Sequence, residues 1–149
     1  MKKLHDYSWE EYNALGMEQK VSVLAREDGM PYHTLFAQQF GRPELDRICA
    51  LATKIRQIAK SHEGMEFLQS LLSHKRAMIY FTQPSSRTFL SFLSACQILG
   101  IKTGEVRDAA VSSEFKGESR EDSIRTFSSY FDLIIMRTQE KGLAEHMAW

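Results

Sequence analysis

Apolar positions follow two different periods along this chain, and the period changes several times after residue 43. Between Leu45 and Ala59 the apolar residues recur three and four positions apart, which predicts an amphipathic helix that begins near Pro43. A shorter helical stretch follows Gly64. Residues 76–81 are then almost continuously apolar, with aromatic and β-branched side chains. Such a run predicts a strand.

The alternation of the two periods continues to the end of the chain. Helical spacing returns at about 86–99 and stops at Gly100, a residue that favours helix ends. The remaining predicted elements are a strand at 101–106, a polar loop at 107–117, a helix from near Ser119, a nearly all-apolar strand at 132–136 that is covered on both faces, and a helix from Lys141. The order β-α-β-α-β-α predicts an α/β fold, an open parallel sheet with flanking helices.

Residues 1–40 have a weaker pattern than the rest of the chain. A capping-box sequence at 8–11 and a further stretch at 18–26 predict two short helices. We find no chemical motif here and interpret the aromatic residues as packing groups. The sequence is therefore divided into a helical N-terminal extension, 1–40, and an α/β domain, 41–149.

Amino-acid composition limits which binding partners and which cellular compartment are expected for this chain. The 149 residues are 43% hydrophobic and carry a formal net charge of zero, so no overall field attracts nucleic acid or membranes. The two cysteines, Cys49 and Cys96, lie on apolar helix faces, and we expect reduced core thiols. We find no metal-ligand spacing, no signal-peptide core and no apolar run of the ~20 residues that span a bilayer. A cytoplasmic protein without a metal is therefore expected.

Three hydroxyl residues and an arginine stand between the first strand and the next helix. They are Ser85, Ser86, Arg87 and Thr88. A helix N-terminus presents unpaired backbone N–H groups and a partial positive charge, and these added donors favour a phosphate-like anion. The alternative is an ordinary N-cap, which needs only one hydroxyl. The surplus of donors makes anion binding the preferred hypothesis.

Two further polar segments follow the other predicted strands. The segment from Ser112 to Lys116 follows the second strand, and Arg137 ends the third. The carboxyl ends of parallel strands share one edge of a sheet, so these groups are expected to converge. Separately, Lys116 could be a solvated loop charge and Arg137 could pair with a helix carboxylate. No nucleophile–base pair is visible, so catalysis here would depend on positioning and electrostatic stabilisation.

The same segments resemble signatures of the carbamoyltransferase family. Residues 84–88 resemble its Ser-Thr-Arg-Thr signature, and residues 112–119 resemble the mobile Ser-x-x-x-Lys-Gly-Glu loop of aspartate carbamoyltransferases. Residues 132–137 resemble its Asp-x-Ile-x-x-Arg strand. The similarity covers about 43–142, in the same order. The Lys-Gly-Glu segment favours the aspartate enzyme over its ornithine relative.

The resemblance implies a reaction and a set of site residues. Such an enzyme transfers the carbamoyl group of carbamoyl phosphate to the amino group of L-aspartate, an early step of pyrimidine synthesis, without a cofactor. The residues implied to bind carbamoyl phosphate are Ser85, Ser86, Arg87, Thr88 and Arg137. Of these, Arg87, Thr88 and Arg137 are implied to be catalytic, near the carbonyl oxygen. Ser112 and Lys116 are implied to reach the site of a neighbouring subunit in a homotrimer.

Several departures from the family pattern leave alternatives open. Ser86 stands for a usual threonine, Phe89 for a usual arginine, and Gln83 for a frequent glutamate. None of the five histidines is followed by proline, so the family's His-Pro-x-Gln segment is not found, nor is an aspartate-binding domain. We expect a truncated carbamoyl-phosphate-binding domain that is inactive by itself. The alternatives are a non-catalytic anion-binding or oligomerisation homologue, and a carbamoyltransferase for another amine such as ornithine.

Overall fold

The computed structural model describes residues 3–107 and 120–149. It divides into two compact units, Met1–Cys49 with Gly142–Trp149, and Ala50–Lys141. Within the described residues the helices are α1 (Trp9–Ala14), α2 (Met17–Val23), α3 (Arg42–Ile58), α4 (His62–Leu71), α5 (Ser86–Ile98), α6 (Arg120–Tyr130) and α7 (Leu143–Ala148). The strands are β1 (Arg76–Phe81), β2 (Lys102–Val106) and β3 (Leu133–Arg137). The division of the sequence at residue 40 stays a prediction.

The three strands form a parallel sheet in the order β2-β1-β3. The central strand β1 is buried from Ala77 to Phe81, where no residue exceeds 5% exposure. This follows from its sequence, because a strand with neighbours on both edges and helices beside the sheet must be apolar on both faces. The predicted open parallel sheet with flanking helices is confirmed.

The register of the sheet fixes which residues stand side by side at its carboxyl edge. Tyr80 is paired with Val106 of β2, and Phe81 is paired with Arg137 of β3. All three strands therefore end at nearly the same level. The loop after β1 and the last residue of β3 are adjacent for this reason.

Helix α5 packs against β1 and β2 through its apolar positions. Its buried Phe89 meets Phe81 edge to face, with ring centroids 5.6 Å apart, and Ile79 completes this core cluster. Leu93 and Ile135 pack against the cluster from α5 and β3. Aromatic pairs in this arrangement are favourable beyond the area that they bury. The first turn of α5 is thereby held at the end of β1.

The turn between α5 and β2 requires a glycine. Gly100 has φ +75°, and a Cβ atom there would lie 1.8 Å from the carbonyl oxygen of Gln69 in α4. Beside it, the backbone N–H of Leu72 donates to the carbonyl of Leu99 at 3.1 Å. The helix stop predicted at Gly100 is confirmed, and the close backbone contact explains why no other residue fits.

The predicted burial of α3 and Cys49 is wrong. No residue of α3 is buried, and Leu45, Ile48 and Leu51 are 46%, 43% and 57% exposed. Cys49, predicted on the same buried face, is exposed, whereas Cys96 is buried as predicted, and both are free thiols. Helical spacing identifies an apolar face but does not specify which element covers it.

Two smaller predictions need correction at the third strand and the last helix. Leu133, expected under cover on both faces, is 47% exposed because β3 is an edge strand of the described sheet. Helix α7 begins at Leu143 rather than at Lys141. Gly142 precedes it with φ +84°, a left-handed conformation that interrupts the helical backbone.

In the first unit, the N-terminal helices pack directly on α7. The ring of Trp9 stacks on His146 with centroids 4.3 Å apart, and Lys20 Nζ lies 2.8 Å from Glu145 Oε2. Tyr12 is fully buried. Burial, and then the charge and hydrogen bond of Glu145, raise the pKa of Tyr12 to about 12. The interpretation of Trp9 and Tyr12 as packing groups is confirmed.

Candidate functional site

The N-terminus of α5 is not capped by the side chain that precedes it. Ser85 is the N-cap residue, but its hydroxyl makes no hydrogen bond to the backbone of the first turn. Instead, Ser85 Oγ donates to Thr88 Oγ1 at 3.0 Å. The first N–H groups of a helix have no partner inside the helix. The first turn of α5 therefore keeps backbone N–H groups that the Ser85 side chain does not satisfy.

Arg137 ends β3 directly beside this helix N-terminus. It is the Cα partner of Phe81, and its carbonyl accepts a hydrogen bond from the N–H of Gln83 at 3.3 Å. Its Nε atom is buried and has no hydrogen-bond partner among the described residues. A buried polar group without a partner costs about 1–3 kcal/mol, and more when charged. A bound oxyanion would remove that cost.

Some of the other predicted site residues have a described position in the structure, and others lie outside the described residues. Arg87, the second residue of α5, is exposed, as is Ser86, whereas Ser85 and Thr88 are partly buried. Ser112 and Lys116 lie outside the described residues. The fold places the loop after β1, the first turn of α5 and the end of β3 side by side. The roles assigned to these residues stay predictions.

Arg107 is a cationic residue at the start of the predicted polar loop, with no role predicted from the sequence. It follows β2 directly, and its guanidinium carbon lies 4.3 Å from the centroid of the Phe89 ring. Phe89 is only 2% exposed. The sole sequence signal for Arg107 is its position immediately after a predicted strand. Its contact with α5 depends on the tertiary packing of Phe89, which periodicity does not reveal.

Asp132 fixes the opposite, amino end of β3. Its Oδ2 accepts a hydrogen bond from the N–H of Arg76 at 2.9 Å, and its Oδ1 accepts from Lys75 Nζ at 3.2 Å. The bond from Arg76, followed by that from Lys75, lowers the pKa of the Asp132 carboxyl below its ordinary value of 3.8. Because Arg76 begins β1, this carboxylate links the start of β1 to the start of β3 and supports the register in which Arg137 is paired with Phe81.

Replacing Asp132 by asparagine should lower the free energy of unfolding at neutral pH. A carboxyl whose pKa is lower in the folded state stabilises the fold above its unfolded pKa, and that stabilisation is lost as pH falls through the folded pKa. The difference between wild type and Asp132→Asn should therefore shrink as pH falls below the ordinary carboxyl pKa and vanish once the folded carboxyl is protonated. Urea unfolding over a pH series measures it. A difference that stays constant with pH would contradict this account.

Two absences concern only the part of the chain that the structure describes. No group of three or more histidine, cysteine, aspartate or glutamate residues is placed there to hold a metal ion. No helix there is long and apolar enough to cross a bilayer.

Comparisons with known proteins match most of the chain. The model of the carbamoyl-phosphate-binding domain of aspartate/ornithine carbamoyltransferases matches residues 32–149. The aspartate carbamoyltransferase catalytic subunit of Methanosarcina acetivorans is 35% identical over 116 residues, 78% of this chain and 36% of that protein. The chloroplastic aspartate carbamoyltransferase of Arabidopsis thaliana is 40% identical over 115 residues, 74% of this chain and 28% of that protein.

A solved structure agrees with these relatives in fold. The crystal structure of aspartate transcarbamoylase from Trypanosoma cruzi, in complex with carbamoyl aspartate and phosphate, matches with a TM-score of 0.69 and 31% identity. The match covers 78% of this chain and 36% of that one, so the chain spans about a third of the length of such relatives. The resemblance drawn from the sequence is confirmed. The match to the family model over residues 32–149, supported by these relatives, shows that the chain belongs to the aspartate/ornithine carbamoyltransferase family, within its carbamoyl-phosphate-binding domain.

Proposed function

We propose that this chain is the carbamoyl-phosphate-binding part of an aspartate carbamoyltransferase. The observation that carries the proposal is the buried Nε of Arg137, which has no hydrogen-bond partner among the described residues and lies beside the first turn of α5, which Ser85 does not cap. Both offer donors at one edge of the sheet, where ligands of open α/β folds bind. Unpaired N–H donors and a guanidinium are the groups that recognise a phosphate dianion.

Different residues at this edge would bind different groups of carbamoyl phosphate. The phosphate group would bind the hydroxyls of Ser85, Ser86 and Thr88 and the backbone N–H groups of the first turn. Arg87 and Arg137 would hold phosphate oxygens, and Arg137 would also reach the carbonyl oxygen with Thr88. Arginine suits this position because its planar fork can donate to two oxygens at once.

In the proposed reaction, these donors would act on charge that develops during transfer. The amino group of L-aspartate attacks the carbonyl carbon of carbamoyl phosphate, and a C–N bond forms. Negative charge then appears on the carbonyl oxygen. The C–O bond to phosphate breaks next, inorganic phosphate leaves with the bonding electrons, and the amine loses one proton. Fixed donors around the oxyanion and the leaving phosphate lower the barrier by electrostatic stabilisation. No cofactor enters this scheme.

The same proposal covers the division of the chain into domains and its assembly with neighbouring subunits. Residues 41–149 would form the carbamoyl-phosphate-binding domain, and residues 1–40 an extension of it. Ser112 and Lys116 would complete the site of a neighbouring subunit in a homotrimer, in the cytoplasm. The 149-residue chain by itself would bind carbamoyl phosphate weakly and would not transfer its carbamoyl group to aspartate.

Titration calorimetry of the purified chain with carbamoyl phosphate and inorganic phosphate tests the proposal. Wild type should bind both, and Arg87→Ala should weaken binding at least about tenfold, since a charge-assisted hydrogen bond is lost. Arg56→Ala is the matched control, because Arg56 is an exposed arginine of α3, a helix that supplies no residue of the proposed site. Wild type without affinity for either ligand, or unchanged binding in Arg87→Ala, would contradict the proposal.

A further inference from the structure

Arg107 is held against the candidate site by a ring of that site's own helix. Its guanidinium carbon lies 4.3 Å from the centroid of the Phe89 ring, which belongs to the first turn and a half of α5. Phe89 is itself fixed, since it is 2% exposed and packs edge to face on Phe81 at 5.6 Å. The fold therefore places this cation against the N-terminal part of α5.

The register of the sheet relates Arg107 to Arg137. Val106 is the Cα partner of Tyr80, so Arg107 continues β2 to the level of Phe81. On the other edge of β1, Arg137 is the Cα partner of Phe81. The two arginines therefore flank Phe81 at about 10 Å between Cα atoms, two strand spacings. At this separation, the side chains of both arginines can contact the same anion.

The side chains in this row point to the same face of the sheet. Side chains that stand side by side in a parallel sheet share a face, because each strand alternates faces residue by residue. Phe81 and Arg107 both contact Phe89, so the shared face is the one covered by α5. By its register, Arg137 belongs to that face too. The Nε of Arg137, which has no partner in the described part of the chain, and the Arg107 guanidinium therefore lie on the face of the sheet that α5 covers.

The contact with Phe89 leaves Arg107 able to bind a ligand. A guanidinium stacked on an aromatic ring uses its face, and its N–H donors stay at the edge of the plane. Among the described residues, Arg107 has no ion pair or hydrogen bond. The ring thus orients the cation without consuming the donors that an oxyanion needs.

We propose that Arg107 is a third cation of the anion site and raises its affinity for dianionic phosphoryl ligands. This inference rests on the proposed function, because it assigns a further residue to the same site. Arg107 would contribute from the end of β2, as Arg87 does from α5 and Arg137 from β3. Each of the three strands would then have a cation at or after its carboxyl end that faces the ligand.

Titration of the full chain with inorganic phosphate at two ionic strengths tests this inference. Arg107→Gln should lower the affinity about fivefold at low salt, the size expected for one partly screened charge. Its affinity should also depend less on salt than that of wild type, which the loss of a merely structural contact would not produce. Arg107→Lys keeps the charge and should restore most of the affinity. Arg56→Gln removes an equal charge from α3 and should bind as wild type does.

The outcomes separate this inference from the proposed function. If wild type binds phosphate and Arg107→Gln binds equally well with the same salt dependence, the role of Arg107 is refuted and the site stands. If Arg107→Gln and Arg56→Gln lose the same affinity, net charge explains the effect and the role is refuted as well. If wild type does not bind phosphate, both proposals fail. Thermal unfolding of each variant confirms that the compared proteins are folded.

Discussion

Replacing Arg137 by methionine should lower the affinity for carbamoyl phosphate and inorganic phosphate about ten- to a hundredfold, since a hydrogen bond to a charged group contributes about 1.5–3 kcal/mol. Arg137 offers a buried Nε with no hydrogen-bond partner among the described residues. A donor that is already desolvated gives up little on binding, so its hydrogen bond to a dianion is strong. Titration calorimetry against both ligands gives the ratio of affinities.

The same substitution should not weaken the fold. Methionine keeps much of the aliphatic stem of arginine, and it removes a buried donor that has no partner among the described residues. We therefore expect the free energy of unfolding of Arg137→Met, without ligand, to equal or exceed that of wild type. Lost affinity with retained stability would identify a group kept for binding. A large loss of stability with unchanged affinity would show that Arg137 is only structural.

Replacing Gly100 by alanine should destabilise the chain by about 3 kcal/mol, from backbone strain together with overpacking. The φ of +75° is strained for any residue with a Cβ atom. That atom would also lie 1.8 Å from the carbonyl oxygen of Gln69, a backbone atom that cannot rotate away. Either α4 or the α5–β2 turn must then shift. Urea unfolding followed by circular dichroism measures the loss.

Gly29→Ala is the matched control for that experiment. Gly29 has nearly the same φ, +78°, but a Cβ atom there would have no neighbour within 4 Å. It should therefore lose only the backbone term, about 1–2 kcal/mol. The difference between the two variants isolates the contact with α4. Equal losses in both would show that the close approach of Gly100 to Gln69 contributes nothing.

The elements nearest the site could be predicted from sequence because their patterns are unambiguous. Residues 76–81 form β1 as predicted, and the apolar run from Ala77 to Phe81 is buried. The helix predicted at 86–99 spans Ser86–Ile98, because Gly100 ends its periodicity. The apolar face of α3 was also visible, but its exposure was not. The spacing of apolar residues shows that a helix has an apolar face. Whether that face is buried depends on which other elements pack against it, and the local sequence does not show this.

The candidate site was predictable only in part. The hydroxyls and Arg87 share one short segment, and Arg137 ends a strand, so a parallel topology was enough to bring their elements together. Arg107 required more, because its position depends on the packing of Phe89 and on the register between β1 and β2. The interaction of Asp132 with Arg76 likewise joins residues that are far apart in sequence. Such tertiary contacts leave no periodic signal.

The central claim is that donors from the α5 N-terminus and from Arg137 surround one phosphate group. A crystal of the chain soaked with carbamoyl phosphate tests it most directly. The account predicts density for the phosphoryl group at the first turn of α5, within hydrogen-bond distance of Ser85, Thr88 and the Nε of Arg137. Density at another place, or an Arg137 side chain directed away from a phosphate bound at α5, would contradict it.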